Sequence, residues 1–170
     1  MSLHGDLIDQ AKHLAAREKK RPRQASLRRA VSAAYYALFH FLIDRATNQM
    51  MGTDRAKRPF RFVVARGFNH GTMKSVSEHF RKGRLPQRIQ LSLPDLVVPN
   101  DLRQIASSFI KRQDERHRAD YDLARDFSRG EAIRLIEDAE TAIGLWKTVQ
   151  NEDAAKLYLA TLPIWDRMSR

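Results

Sequence analysis

Cysteine is absent from the 170 residues of this chain, which excludes a disulfide framework, a thiolate nucleophile and a zinc site built on cysteines. Long apolar runs are absent too. The longest, Ala33 to Ile43, has 11 residues and includes His40, whereas a membrane-spanning helix needs about 20. The first residues also lack the basic, apolar and small-residue order of a secretory signal. We therefore expect a cytoplasmic protein without a membrane segment.

The patterns of several common catalytic sites are missing as well. The sequence contains no Gly-rich phosphate loop, no nucleophile elbow and no paired catalytic carboxylates. His4, His13, His70 and His79 lack the spacing that is typical of metal ligands. We therefore expect neither a bound metal ion nor a cofactor.

Positive charge is abundant and unevenly distributed. The chain has 31 Lys or Arg against 20 Asp or Glu, a net charge of +11. Residues 52–90 hold ten of these cations and two acids, while residues 126–170 hold six cations and eight acids. Such a basic region attracts phosphate polymers by releasing their counterions. We therefore expect nucleic acid as a partner.

The apolar spacing along the chain is helical, with no alternating strand pattern. Ser128 and Glu131 form a capping-box pattern at the start of one helix. Residues 50–61 and 81–99 are predicted to be loops. Helices are predicted at Leu3–Lys19, Gln24–Gln49, Phe62–Phe80, from Asn100 or Asp101 onward, from Ser128 to Val149, and from Asn151 to just before Pro163. The predicted fold is all-α, an antiparallel bundle of about five helices in residues 1–150. Residues 151–170 would add a short helix and tail, packed on the bundle or extending from it.

Three stretches carry a resemblance to a known family. They are Arg28-Arg-Ala-Val-Ser-Ala-Ala-Tyr-Tyr-Ala-Leu-Phe-His40, Asn69-His-Gly-Thr-Met-Lys74 and Arg116-His-Arg-Ala-Asp-Tyr-Asp122. Because these three stretches occur in the same order as in the HEPN domain, the chain resembles that family over residues 5–150. The resemblance implies a helical, usually dimeric scaffold, many of whose members bind or cut RNA. It also implies a place beside a nucleotidyltransferase in toxin–antitoxin pairs or defence systems.

Nucleases of this family carry an Arg followed, after four to six residues, by a His. Metal-independent RNA cleavage needs a proton acceptor, a proton donor and a cation near phosphorus, which His and Arg supply. By spacing alone, Arg112 and His117 fit this motif. By alignment to the Arg-x-x-Ala-Asp-Tyr branch, Arg116 takes the Arg position and Tyr121 the His position. We prefer the second alignment, in which Tyr121 would be a poor general base because a phenol ionises near pH 10.

Helix geometry adds two expectations about these residues. Residues five apart on a helix lie about 140° apart around its axis, so neither Arg112 with His117 nor Arg116 with Tyr121 should converge without a kink or a second subunit. Residues four apart share a face, which favours a structural ion pair between Arg116 and Asp120. Tyr35, Tyr36, Phe39 and Phe41 are assigned to the core.

The predicted binding residues are Arg28, Arg29, Ser32 and Asp120. The resemblance implies that Ser32 turns toward Arg116, and the alternative is that Ser32 is a small packing residue. The sequence thus predicts a homodimeric, RNA-associated HEPN-type protein, and it leaves open whether the protein is a metal-independent endoribonuclease. The alternative is a non-catalytic interaction or nucleotide-binding module, such as a partner of a nucleotidyltransferase.

Overall fold

The computed structural model describes residues 2–168, except for the side chain of Asp166. No strand occurs in this part of the chain, so the predicted all-α fold is confirmed. The helices are α1 Leu3–Ala16, α2 Gln24–Met51, α3 Arg58–Ala65, α4 His70–Lys82, α5 Gln87–Ser92, α6 Asn100–Tyr121, α7 Arg129–Val149, α8 Asp153–Thr161 and α9 Trp165–Met168, with a 3₁₀ turn at Arg55–Lys57. These segments outnumber the five or so helices that were predicted.

The chain divides into two compact units. Unit 1 comprises Met1–Phe41 and Ser108–Gly144, and unit 2 comprises Leu42–Ser107 and Leu145–Arg170. Helices α2, α6 and α7 contribute residues to both units. None of the helices within residues 2–168 is long and apolar enough to cross a membrane.

The core of unit 1 is rich in alanine, which lets helix backbones approach closely. Its buried side chains come from α1, α2, α6, α7 and the segment before α7, and include Ile8, Ala11, Ala15, Leu27, Ala30, Val31, Ala34, Ala119, Phe127, Ala132, Ile136 and Ala139. Helix α2 was predicted to be central because it is apolar on most sides, and its residues in unit 1 are largely buried.

The predicted first helix is too long, because α1 ends at Ala16 rather than Lys19. Glu18 accepts hydrogen bonds from the Ser26 hydroxyl at 2.8 Å and from the Arg23 backbone N–H at 3.3 Å. These bonds shape the connection between α1 and α2. Beyond it, α2 begins at Gln24 as predicted and ends two residues later than predicted, at Met51.

Unit 2 differs from the prediction in three places. The expected loop at 50–61 includes the 3₁₀ turn and the start of α3, where Pro59 occupies the first turn and its missing N–H costs no hydrogen bond. The single helix expected at 62–80 is two helices, because Asn69 caps α4 by accepting a hydrogen bond from Thr72 N at 2.8 Å. The expected loop at 81–99 contains the short helix α5.

Helix α4 lies against α8 and α9 within unit 2. The hydroxyls of Ser77 and Tyr158 lie 2.8 Å apart in its interior, and the Phe80 ring packs at 4.9 Å from the Tyr158 ring. The Tyr158 hydroxyl thus has a partner although it is buried, as buried polar groups require.

Candidate functional site

The carboxylate of Asp120 contacts both Ser32 and Arg116, the two residues that the resemblance implies lie close together. The Ser32 hydroxyl of α2, itself buried, donates to Asp120 Oδ1 at 2.6 Å. The Arg116 Nε lies 2.9 Å from Asp120 Oδ2, and this is the ion pair expected from their spacing of four on α6. Ser32 and Arg116 therefore meet through one shared carboxylate.

Arg116 is held on a second side by the phenol of Tyr36. Its Nη2 donates to the Tyr36 hydroxyl at 2.9 Å, and its Cζ lies 5.5 Å from the centre of that ring. Burial alone would lower the pKa of Arg116, but Tyr36 and Asp120 outweigh it and raise the pKa. The guanidinium is therefore charged and oriented. Its Nη1 makes no hydrogen bond to residues 2–168 and can bind a further acceptor.

Tyr121 lies beside Arg116, although the helical spacing predicted otherwise. The Arg116 Cζ is 5.8 Å from the centre of the Tyr121 ring, both residues belonging to the single helix α6. The expectation that a kink or a second subunit is needed is wrong for this pair. The reason is the length of the arginine side chain, which reaches around the helix.

His117 completes what we call the α6 cluster, defined as Arg116, His117 and Tyr121. The His117 ring centre is 5.0 Å from that of Tyr121, because the two residues are one turn apart. Both side chains are exposed, Tyr121 to 64%. The cluster thus presents a guanidinium, an imidazole and a phenol together, two of them open to solvent.

Arg112, the other arginine of the candidate motif, lies outside this cluster. Its side chain is only 1% exposed, with Nη1 donating to the Leu135 carbonyl at 2.7 Å and Nη2 lying 3.0 Å from Asp138 Oδ2. Burial lowers the pKa of Arg112, and Asp138 offsets part of this effect. Within residues 2–168 its guanidinium contacts α7 and not His117, so the structure does not pair Arg112 with His117.

Arg28 and Arg29, two of the predicted binding residues, differ in role. Arg28 donates from Nη1 to the Ala119 carbonyl and from Nη2 to the Asp122 carbonyl, both at 2.9 Å, and also to the Arg125 carbonyl. It thereby satisfies carbonyls at the C-terminal end of α6, where a positive charge is favourable. Arg28 is a positioning residue for the α6 cluster, whereas Arg29 is exposed.

Sequence reasoning missed Tyr36, which it assigned to the core together with its aromatic neighbours. Tyr35, Phe39 and Phe41 are indeed buried, but Tyr36 is only partly buried and binds Arg116. Its spacing of four from Ser32 was the available signal, because residues four apart share one face of a helix. His40, four residues further on, stacks near the Tyr36 ring at 6.1 Å, and burial lowers its pKa.

The cations near the α6 cluster are mostly neutralised by the protein itself. Besides the pairs of Arg112 and Arg116, Arg118 pairs with Glu115 at 2.9 Å and Arg125 pairs with Glu131 at 2.7 Å. Among the described residues, no three His, Asp or Glu side chains are placed to hold a metal ion. Comparisons of the chain with protein-family models, with curated proteins and with solved structures gave no match.

Proposed function

We propose that the protein is an RNA-associated, HEPN-type protein that binds an RNA phosphate at the α6 cluster. The observation that carries this proposal is the oriented guanidinium of Arg116 beside the exposed side chains of His117 and Tyr121. Arginine binds phosphate oxygens through a planar fork of donors, and an exposed ring nearby can contact a base or a sugar. The net charge of +11 supports a polyanionic ligand.

The same side chains are suited to metal-independent cleavage of the bound RNA. His117 would take the proton of the 2′-hydroxyl, whose oxygen then attacks phosphorus and displaces the 5′-oxygen of the next nucleotide. The leaving oxygen would take the Tyr121 proton, and the His117 imidazolium would return a proton to Tyr121. Arg116 would stabilise the charge that develops on the phosphoryl oxygens. The products would be a 2′,3′-cyclic phosphate and a 5′-hydroxyl.

One feature favours the alternative, a non-catalytic module that binds a protein partner or a nucleotide. Asp120 already neutralises Arg116, so the cluster attracts phosphate less strongly than a free arginine would. In this case the exposed rings would serve an interface. The resemblance to HEPN proteins makes a nucleotidyltransferase the first partner to test.

A homodimer belongs to the proposal as well, because it is the usual state of the family that the chain resembles. Light scattering on the purified protein measures its mass directly. A mass near twice 19.7 kDa supports the dimer, and a monomer at micromolar concentration contradicts it.

The function is tested by incubating the protein with end-labelled single-stranded RNA in EDTA and following both binding and cleavage. The variants are Arg116→Ala and His117→Ala. Arg118→Ala is the matched control, because Arg118 follows His117 on the same helix but has an exposed side chain paired with Glu115. Circular dichroism checks that each variant is helical.

We expect both cluster variants to weaken or abolish the activity on RNA and the control to retain it. Cleavage that ends in a cyclic phosphate and is lost in His117→Ala supports the enzyme. Intact RNA whose binding is weakened only by Arg116→Ala supports binding without catalysis. RNA that does not bind to the wild-type protein at low salt contradicts the proposal.

A further inference from the structure

Helix α3 and the turn before it expose apolar side chains that the chain itself leaves uncovered. No residue of α3 is buried, and Phe60, Phe62 and Val63 are 57%, 59% and 68% exposed. Burying a large apolar side chain contributes about 1.5–3 kcal/mol, so three of them exposed on a short helix mark a surface that contacts something else. We call residues 55–66 the α3 platform.

The α3 platform is also strongly cationic. Residues 55–77 contain six Lys or Arg and no Asp or Glu. The five cations of the platform, Arg55, Lys57, Arg58, Arg61 and Arg66, form no ion pair with a carboxylate among the described residues, unlike the arginines around the α6 cluster. Arg61 donates to the backbone carbonyls of residues 52 and 54, which leaves its charge uncompensated. We therefore expect the platform to bind a polyanion.

A cationic side chain lies over each of the two exposed phenylalanine rings. The Lys57 Nζ lies 5.6 Å from the centre of the Phe60 ring, and the Arg58 Cζ lies 5.2 Å from the centre of the Phe62 ring. Phe60 and Phe62 are two residues apart, or about 200° around the helix axis. The two ring-and-cation pairs therefore face different sides of α3.

This arrangement decides between the possible occupants. A second copy of the chain would bring two uncompensated positive surfaces together, which is unfavourable. A membrane surface is planar, so it could take up one of the two rings but not both. A flexible single strand can pass around the helix, and it alternates a flat base with a phosphate, as the platform alternates a ring with a cation.

We propose that the α3 platform binds single-stranded RNA, with bases stacked on Phe60 and Phe62 and phosphates against Lys57, Arg58 and Arg66. This inference rests on the proposed function and adds a second RNA contact, formed entirely by residues of unit 2. Duplex RNA would bind less well, because its bases already stack on each other and cannot reach the rings.

The test compares affinities for a labelled oligouridylate by fluorescence anisotropy. One double variant is F60A/F62A, and the second, F60L/F62L, keeps apolar side chains but removes the rings. Val97→Ala is the control, since Val97 is an exposed apolar residue outside the platform. The wild type and all variants are also tested for binding to vesicles of phosphatidylserine and phosphatidylcholine. A membrane would still bind F60L/F62L, because leucine is as able as phenylalanine to enter the apolar layer.

Both double variants should bind RNA about 10- to 100-fold more weakly than the wild type, since stacking on an aromatic ring contributes about that much to binding. The control should bind like the wild type. If F60L/F62L binds RNA as tightly as the wild type does, or if the two double variants lose only their binding to vesicles, the proposal that bases stack on Phe60 and Phe62 is wrong. Wild-type binding to RNA with no effect of either double variant overturns the platform but not the proposed function. No RNA binding by the wild type overturns the proposed function itself.

Discussion

At the scale of single residues, Asp120 organises the candidate site. It accepts the Ser32 hydroxyl on one oxygen and pairs with Arg116 on the other. The same carboxylate that orients the guanidinium also weakens its attraction for phosphate. A substitution of Asp120 therefore shows which of its two effects on RNA binding is larger, the orientation of Arg116 or the neutralisation of its charge.

Replacing Asp120 with Asn should strengthen RNA binding about two- to fivefold, because it removes the charge that neutralises Arg116 while an amide oxygen can still accept from Ser32. Anisotropy with labelled RNA measures the change. Asp153→Asn is the matched control, since it removes one negative charge from an exposed pair with Lys156 in unit 2. Equal effects of both variants would show that Asp120 acts only through net charge.

Arg112 should matter for stability and not for RNA. Arg112→Met should lower the free energy of unfolding by about 1–3 kcal/mol, because it leaves the Leu135 carbonyl without its buried donor and leaves Lys111 as the cation that pairs with Asp138. Urea unfolding measures this loss. Arg118→Met, at an exposed pair, should cost about 0.5 kcal/mol or less. A fully stable Arg112→Met protein that fails to act on RNA would instead assign Arg112 to the site.

The residues of the site could be predicted to different degrees. Ala119, Asp120 and Tyr121 follow one another in the sequence, so their pattern was visible, and the Arg116–Asp120 pair followed from helical spacing. The burial of Arg112 was not predictable, because it depends on Asp138 of α7, 26 residues away. The contact of Arg116 with Tyr121 depends on a side-chain conformation, which backbone periodicity does not describe.

At the scale of elements, prediction succeeded where local chemistry sets a boundary. The capping box of α7 is confirmed, since Glu131 N donates to the Ser128 hydroxyl at 3.1 Å and Ser128 N donates to Glu131 Oε2 at 2.8 Å. Prediction failed at α3 and α4, where apolar spacing continued across a break. The boundary lies at Asn69, whose side chain caps α4.

The capping box predicts a specific dependence of stability on pH. The backbone N–H and hydroxyl of Ser128, together with Arg125, lower the pKa of Glu131 from 4.5 to about 2. Because the pKa is lower in the folded state, this stabilisation is complete above pH 4.5 and is lost as the pH falls toward 2. Thermal unfolding should show Glu131→Gln less stable than the wild type at pH 7, with the difference shrinking below pH 4.5. A difference that is constant with pH would contradict this role.

Two glycines with positive φ can be compared, because they share a left-handed backbone but differ in the space available to a Cβ. Gly83 ends α4 with φ 66°, and Gly52 follows α2 with φ 82°. Alanine at either position should cost about 1–2 kcal/mol for its left-handed backbone. A Cβ at Gly83 would also lie 3.2 Å from Arg103 Nε, whereas nothing lies within 4 Å at Gly52. Urea unfolding should therefore show Gly83→Ala to be the more costly, and the reverse order would contradict this packing.

At the scale of the whole molecule, the uneven charge is the main feature. The α6 cluster lies among arginines that the protein pairs with its own acids, whereas residues 55–77 carry six cations and no acid. This distribution is counted directly from the sequence. Which cations are internally paired became evident only from the fold. If the protein binds RNA as proposed, we expect most of the electrostatic attraction to come from unit 2.

The central claim, that the protein binds RNA phosphates through its cationic side chains, is tested most directly by the salt dependence of its affinity for single-stranded RNA. Contacts of three to five phosphates with these cations predict that the logarithm of the association constant falls with the logarithm of salt concentration with a slope of about −2 to −4. Anisotropy titrations at several salt concentrations measure this slope. A slope near zero, or no binding at low salt, would contradict the account.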